Sequence, residues 1–198
     1  MDGEKLSGKV ILDVGCGFGT WHLIRVLVDQ GGTRAYLVGC DVFRPYLKKV
    51  KKYNPYDDLV LCDVRFVPFR FSCADTVLVF EVLEHVEKEE GLNVLVNLEQ
   101  LSKKNVIVTT PLGFYKQDKG RGNVFETHRS AWYEKDFARL GYVTRTYGAG
   151  IELEKLCRRS FLFSILHRLR RFFAGNRWSG LLILAEKHVS AREQPNRS

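Results

Sequence analysis

Short runs of β-branched and apolar residues recur along the chain with helix-like segments between them, and this alternation restricts the fold more than any other feature. Strands are expected at 10–14, 35–40, 59–62, 76–80, 105–110, 142–147 and 178–186. Helical periodicity lies between them at 21–29, 45–52, 88–101 and 132–140. Pro45 sits in a first-turn position, Ser130 is the expected N-cap of the 132–140 segment, and Gly141 falls just past its end. Strands that alternate with helices predict an α/β fold with a mostly parallel sheet covered on both faces.

The 198 residues allow one domain with a real core, expected over 1–188, and leave too little chain for a second of ordinary size. With 45% hydrophobic and 27% charged residues, the composition is that of a globular protein. The polar start carries no apolar run of signal-peptide length, and the five cysteines form no C-x-x-C pair. Both observations predict a cytoplasmic protein with reduced thiols. Net charge is uneven: ten Lys/Arg against four Glu in 151–198 place +6 of the +8 in the last quarter.

Two stretches break the rhythm. Residues 112–129 are a long, polar, glycine-containing connection, expected to lie over a site. Residues 151–176 carry Leu162, Ile165, Leu166, Leu169, Phe172 and Phe173 at helical spacing among arginines, which predicts a basic amphipathic insertion. Residues 189–198 are polar and expected to be disordered.

The first strand runs through Asp13-Val14 into Gly15-Cys16-Gly17-Phe18-Gly19-Thr20, a glycine turn that admits a ligand close to the backbone. A dinucleotide fingerprint would need a third glycine where Thr20 stands, so that reading is disfavoured. Asp13 is suited to fixing the loop or receiving the ammonium of an aminoacyl ligand. Asp41 ends the second strand about twenty residues on, where a carboxylate can accept ribose hydroxyls. Asp63 and Val64 follow the third strand, offering an acceptor for an adenine amino group and an apolar face for its ring.

Taken together, D-x-G-C-G-x-G, then Asp41, then Asp63, then Glu81-Val82-Leu83-Glu84-His85-Val86, resemble the class I S-adenosylmethionine-dependent methyltransferases, their small type 11 members above all. The resemblance covers roughly 10–147, with 178–186 matching the seventh strand. It implies a Rossmann-like sheet in the order 3-2-1-4-5-7-6 with the last strand antiparallel and helices on both faces. It also implies S-adenosylmethionine as cofactor, with Gly15, Cys16, Gly17 and Gly19 at its methionine end. Asp41 and Val42 would then serve the ribose, Asp63 and Val64 the adenine, and Phe80 the cofactor's backbone side. Family members usually carry helices ahead of the first strand that close over the cofactor. Only eight residues precede Lys9 here, so either the site is open or the lid comes from 112–129 or from the basic insertion.

Glu81, Glu84 and His85, spaced i, i+3, i+4, come together if the chain enters a helical turn, and His128 can fold back onto them. Methyl transfer to oxygen needs a proton removed, so His85 and His128 are candidate bases. The same four residues resemble the E-x-x-E-H site of two methyltransferase branches that hold Mg²⁺ or a similar ion. Simple orientation of the loop after the strand is the role expected first, ahead of a metal site or a base. The expected acceptor is a small or lipid-like molecule methylated on oxygen. RNA 2′-O-methylation and a non-catalytic cofactor-binding subunit are the alternatives. The basic 155–177 segment would meet RNA or an anionic membrane surface, the latter making the protein peripheral to the membrane.

Overall fold

The computed structural model describes residues 9–18, 35–53, 55–118, 122–148 and 181–189. Seven strands form one sheet: β1 Val10–Val14, β2 Tyr36–Asp41, β3 Asp58–Leu61, β4 Ala74–Phe80, β5 Ser102–Pro111, β6 Val143–Gly148 and β7 Leu181–His188. Their order is β3-β2-β1-β4-β5-β7-β6, as the resemblance implied. β1 to β5 are mutually parallel, with Leu12 opposite both Val38 and Val77. β7 runs antiparallel between β5 and β6, placing Ala185 opposite Val108 and Thr144.

Alternation along each strand sends side chains to two cores, because neighbouring residues of a strand point to opposite faces. Leu12, Val14, Val77, Val79, Val106 and Val108 pack on one face. Ile11, Leu37, Leu78, Phe80 and Ile107 pack on the other. Helix α1, Arg44–Lys51, begins with a proline in its first turn and buries Leu47 and Val50 in the second core. Helix α2, Lys88–Leu101, buries Val94, Leu95, Leu98 and Leu101 in the first, and their i, i+1, i+4, i+7 spacing puts them on one face of an amphipathic helix.

The last expected helix is corrected. Helix α3 spans only Glu134–Ala138, and Ser130 does not cap it. The Ser130 hydroxyl instead donates to the Leu83 carbonyl at 3.0 Å and accepts from the Trp132 indole N–H at 2.9 Å. Trp132 is thereby fixed in the core ahead of the helix, and the Tyr133 N–H is satisfied by the Asp136 carboxylate at 2.9 Å. Gly141, in the left-handed region at φ 79°, ends this helix as expected.

The expected helix at 21–29, the basic segment at 151–176 and most of the polar tail lie outside the described residues. Val189 is placed, its N–H on the Lys104 carbonyl at 2.6 Å. Among the described residues no helix is long and apolar enough to cross a membrane.

At Gly91, α2 lies close against Trp132 of this core. A Cβ there would lie 2.5 Å from Trp132 Cζ2, and the indole is fully buried and hydrogen-bonded. Gly91→Ala should therefore lower stability by about 1–3 kcal/mol through overpacking, although alanine favours the helix by about 1 kcal/mol. Urea unfolding of both proteins checks this, and a gain in stability would show that Trp132 can yield.

Candidate cofactor and active site

In an open α/β sheet, ligands bind beyond the carboxyl ends of the strands where the strand order reverses, here between β1 and β4. The loop after β1 enters this crevice. Its Gly15 and Cys16 N–H groups both donate to the Cys40 carbonyl of β2, at 2.8 and 2.9 Å. Gly15 has φ 73°, and a Cβ there would stand 2.3 Å from Val82 Cγ2, so two independent constraints demand glycine. Gly17, at φ 53°, donates its N–H to the Asp41 carboxylate at 2.8 Å. The other Asp41 oxygen accepts from the Phe43 N–H at 2.7 Å. Burial pushes Asp41 up from the usual carboxylate range, and these backbone donors oppose the shift.

A cavity of about 770 Å³ opens over these strand ends. Of the expected cofactor residues, Gly15, Gly17, Asp41, Val42, Asp63 and Val64 line it. Asp13, Cys16 and Phe80 are not among its lining, and Gly19 lies outside the described residues. Cys16 and Phe80 are buried in the second core. Asp13, only 1% exposed, accepts the Tyr56 hydroxyl at 2.5 Å and does not line the cavity. Burial raises Asp13 to about 7, against the lowering effect of the Tyr56 bond.

Asp63 is paired as well as exposed to the cavity. Its carboxylate takes the Arg65 N–H at 2.9 Å and the guanidinium at 3.0 and 2.7 Å. Arg65 bridges on to Glu90 of α2 at 3.1 Å, and its guanidinium holds Asp63 below the usual carboxylate range.

The second constellation follows β4. Glu81 has φ 55°, rare for a residue with a side chain, and is pinned to β5 through its N–H on the Thr109 carbonyl and the Thr109 hydroxyl on its carboxylate, both at 2.9 Å. The chain then makes a helical turn of the 3₁₀ kind, Leu83–His85. Glu84 is buried and accepts the Thr110 hydroxyl at 2.9 Å. His85 and His128 approach edge to face at 4.9 Å between ring centroids. Ligand atoms of Glu84, His85 and His128 all lie within 4.8 Å of one another, whereas Glu81 stands outside this group.

The two rings are oriented from behind. His85 Nδ1 faces the Thr127 carbonyl at 3.3 Å and His128 Nδ1 faces the Tyr115 carbonyl at 2.6 Å. A carbonyl only accepts, so each ring carries its proton on Nδ1 and keeps the Nε2 lone pair. Burial, reinforced by His128, lowers His85 to about 4, and burial lowers His128 too. Burial pushes Glu81 up to about 7, and burial with the neighbouring Glu81 pushes Glu84 far above the carboxylate range.

Part of the 112–129 connection closes over this ground. Its Asn123, Phe125, Glu126 and Arg129 line the cavity. The Glu126 carboxylate accepts the Tyr46 hydroxyl of α1, and Phe18 stacks on Tyr46 at 5.9 Å. The Arg129 and Ser130 N–H groups end the loop on the Glu84 carbonyl at 2.7 and 3.2 Å. No motif marks Tyr46, Arg65 or Glu126, whose roles arise from contacts between distant segments.

A parallel sheet with this strand order, a glycine turn on its first strand and carboxylates ending the next two defines a domain that holds a nucleoside-type cofactor. A methyltransferase domain model matches residues 12–109. The chain belongs to the class I S-adenosylmethionine-dependent methyltransferases of the small type 11 kind, and its cofactor is S-adenosylmethionine. A search of curated proteins finds no match.

Solved structures share the fold. A chain from the Haloferax volcanii complex that contains the Trm112 methyltransferase activator aligns with TM-score 0.59 at 14% identity, over 96% of this chain and 85% of its own. An S-adenosylmethionine-dependent methyltransferase from Mesorhizobium loti gives 0.56 at 15%, over 93% of each. Magnesium protoporphyrin IX methyltransferase from Synechocystis PCC 6803 with bound cofactor gives 0.51 at 16%, over 91% and 71%.

Two outcomes are expected. Tyr46→Phe removes the lid's hydroxyl contact and should weaken S-adenosylhomocysteine binding by about 2–10-fold in calorimetry; unchanged affinity would detach the loop from the cofactor. Asp13 has a folded pKa above its usual 3.8, so its contribution to stability is full in acid and fades as pH rises through about 7. Asp13→Asn keeps an acceptor for Tyr56 and should gain about 2 kcal/mol on the wild type between pH 5 and pH 8 in denaturant titrations; a parallel pH dependence of the two proteins would refute it.

Proposed function

We propose that the chain methylates an oxygen of a small or lipid-like molecule held beside Glu81 and His85. The observation that carries this reading is the continuity of one lidded cavity from Gly15, Asp41 and Asp63 to Glu81, Val82 and His85. A cavity of about 770 Å³ is within the range of small-ligand sites and suits a cofactor with a modest acceptor. In the transfer, the acceptor oxygen attacks the methyl carbon, the carbon–sulfur bond breaks and S-adenosylhomocysteine leaves. The oxygen's proton passes to a base. His85 lines the cavity, is held neutral by its low pKa, and keeps Nε2 free because Nδ1 faces Thr127. His128, oriented by Tyr115, stands behind it as the alternative acceptor.

A second reading is favoured by the grouping of Glu84, His85 and His128. Two imidazole nitrogens and one carboxylate oxygen fit a divalent ion such as Zn²⁺ or Mn²⁺ better than the all-oxygen preference of Mg²⁺. The Thr127 and Tyr115 carbonyls would orient the two ligand rings from the outer shell. When bound, such an ion lowers the pKa of an acceptor hydroxyl. Glu81 takes no part in this set.

Both readings meet in one experiment. Methyl transfer from labelled S-adenosylmethionine into a small-molecule cell extract is measured for the wild type, for His85→Ala and for the wild type in chelator, with metal analysis of the purified protein. Loss of about 10²–10⁴-fold in His85→Ala with S-adenosylhomocysteine binding intact supports the base. Full transfer in chelator removes the ion, and full transfer in His85→Ala removes both.

A further inference from the structure

We propose that the acceptor taken by this pocket carries a positive charge away from its reacting atom. The inference rests on the methyl-transfer reading above and adds the chemical class of the acceptor to it.

Of the net charge of +8, +6 lies in residues 151–198, so residues 1–150 are nearly balanced and an arbitrary concavity on them should carry little net charge. The cavity is acidic instead. Its floor holds the carboxylates of Asp41 and Asp63, with Glu81 only partly ionised at neutral pH because of its burial, and its rim adds Glu87, Glu89 and Glu90 where α2 begins. Glu126 contributes one more from the lid. Among the described residues only Arg65, Lys88 and Arg129 oppose them, and each is already committed. Arg65 bridges Asp63 and Glu90, offsetting one charge of two. Lys88 is spent on Asp136, a residue outside the lining, at 2.6 Å, and also donates to the Ala131 carbonyl. Arg129 lies 3.7 Å from Glu87.

The cofactor absorbs only part of this surplus. S-adenosylmethionine carries a sulfonium, an ammonium and one carboxylate, a net single positive charge. The start of α2 stabilises Glu89 and Glu90 through the helix dipole but leaves their charge facing the cavity. A phosphate or carboxylate entering beside the cofactor would therefore meet net repulsion in a partly desolvated space. An ammonium or guanidinium would be drawn in.

Chemistry then fixes where that cation sits. An ammonium has no lone pair with which to attack the methyl group, so the charge belongs at the Glu89–Glu90 rim and a hydroxyl belongs beside His85. Val82, Val86 and Phe125 supply apolar surface for the arm between them.

The test uses the full chain saturated with S-adenosylhomocysteine and a panel of size-matched pairs, each an ammonium and a carboxylate on the same hydroxyl-bearing arm. Tyramine and 4-hydroxyphenylacetate form one pair. Calorimetry should show the ammonium member binding about tenfold more tightly, with the advantage shrinking as salt screens it. It should also fall in Glu89→Gln combined with Glu90→Gln, a variant whose retained S-adenosylhomocysteine binding shows that it folds. Equal binding, tighter binding of the acids, or no binding across the panel overturns the inference. Failure of S-adenosylhomocysteine itself to bind overturns the methyl-transfer reading instead.

Discussion

The whole site depends on backbone hydrogen bonds that join the end of β1 to the end of β2. Gly15 and Cys16 share the Cys40 carbonyl, and Gly17 reaches the Asp41 carboxylate. These bonds turn the glycine loop back over the sheet, which sets Gly15 against Val82 and leaves no room for a side chain between β1 and β4. The cofactor crevice is the space that results. Asp41 serves the loop and faces the cavity at once, so the group expected to hold the ribose is oriented before any ligand arrives.

Burial divides the acids of this fold into distinct roles. Asp13 and Asp41 are consecutive acidic strand ends in sequence, yet Asp13 is sealed against Tyr56 while Asp41 opens to the cavity. Glu81 and Glu84 likewise separate: Glu81 is anchored to Thr109 at the cavity floor, and Glu84 turns to Thr110 and joins the histidine pair. The left-handed backbone at Glu81 makes this parting possible, because it redirects the chain immediately after β4. The Glu84 carbonyl then ties down the end of the lid, so the turn that presents the histidines also fixes the loop that covers them.

Much of the fold was legible because its signals are local. A buried strand announces itself through a run of β-branched residues, and all seven strands fall where those runs occur. β5 and β7 extend beyond the expected limits because polar flanking residues still pair across the sheet: Ser102 opposite Ala74 beyond a bulge, and Lys187 and His188 opposite Val106 and Asn105. Trp132 was assigned to a helix by its spacing, and its bond to Ser130 overrides that preference. Tyr46 and Glu126, eighty residues apart, and Arg65 and Glu90, separated by twenty-five, carry no pattern that links them.

The sequence by itself determined the fold class, the cofactor family and the position of the glycine turn, because strand periodicity, positive φ and acidic strand ends are properties of short segments. Tertiary structure alone decided which acids meet the cavity, which residues form the lid and what charge the pocket presents. Desolvation and Coulomb interactions depend on neighbours brought in from distant parts of the chain. For that reason a chain with a surplus of basic residues encloses a pocket whose described lining has more acidic than basic side chains.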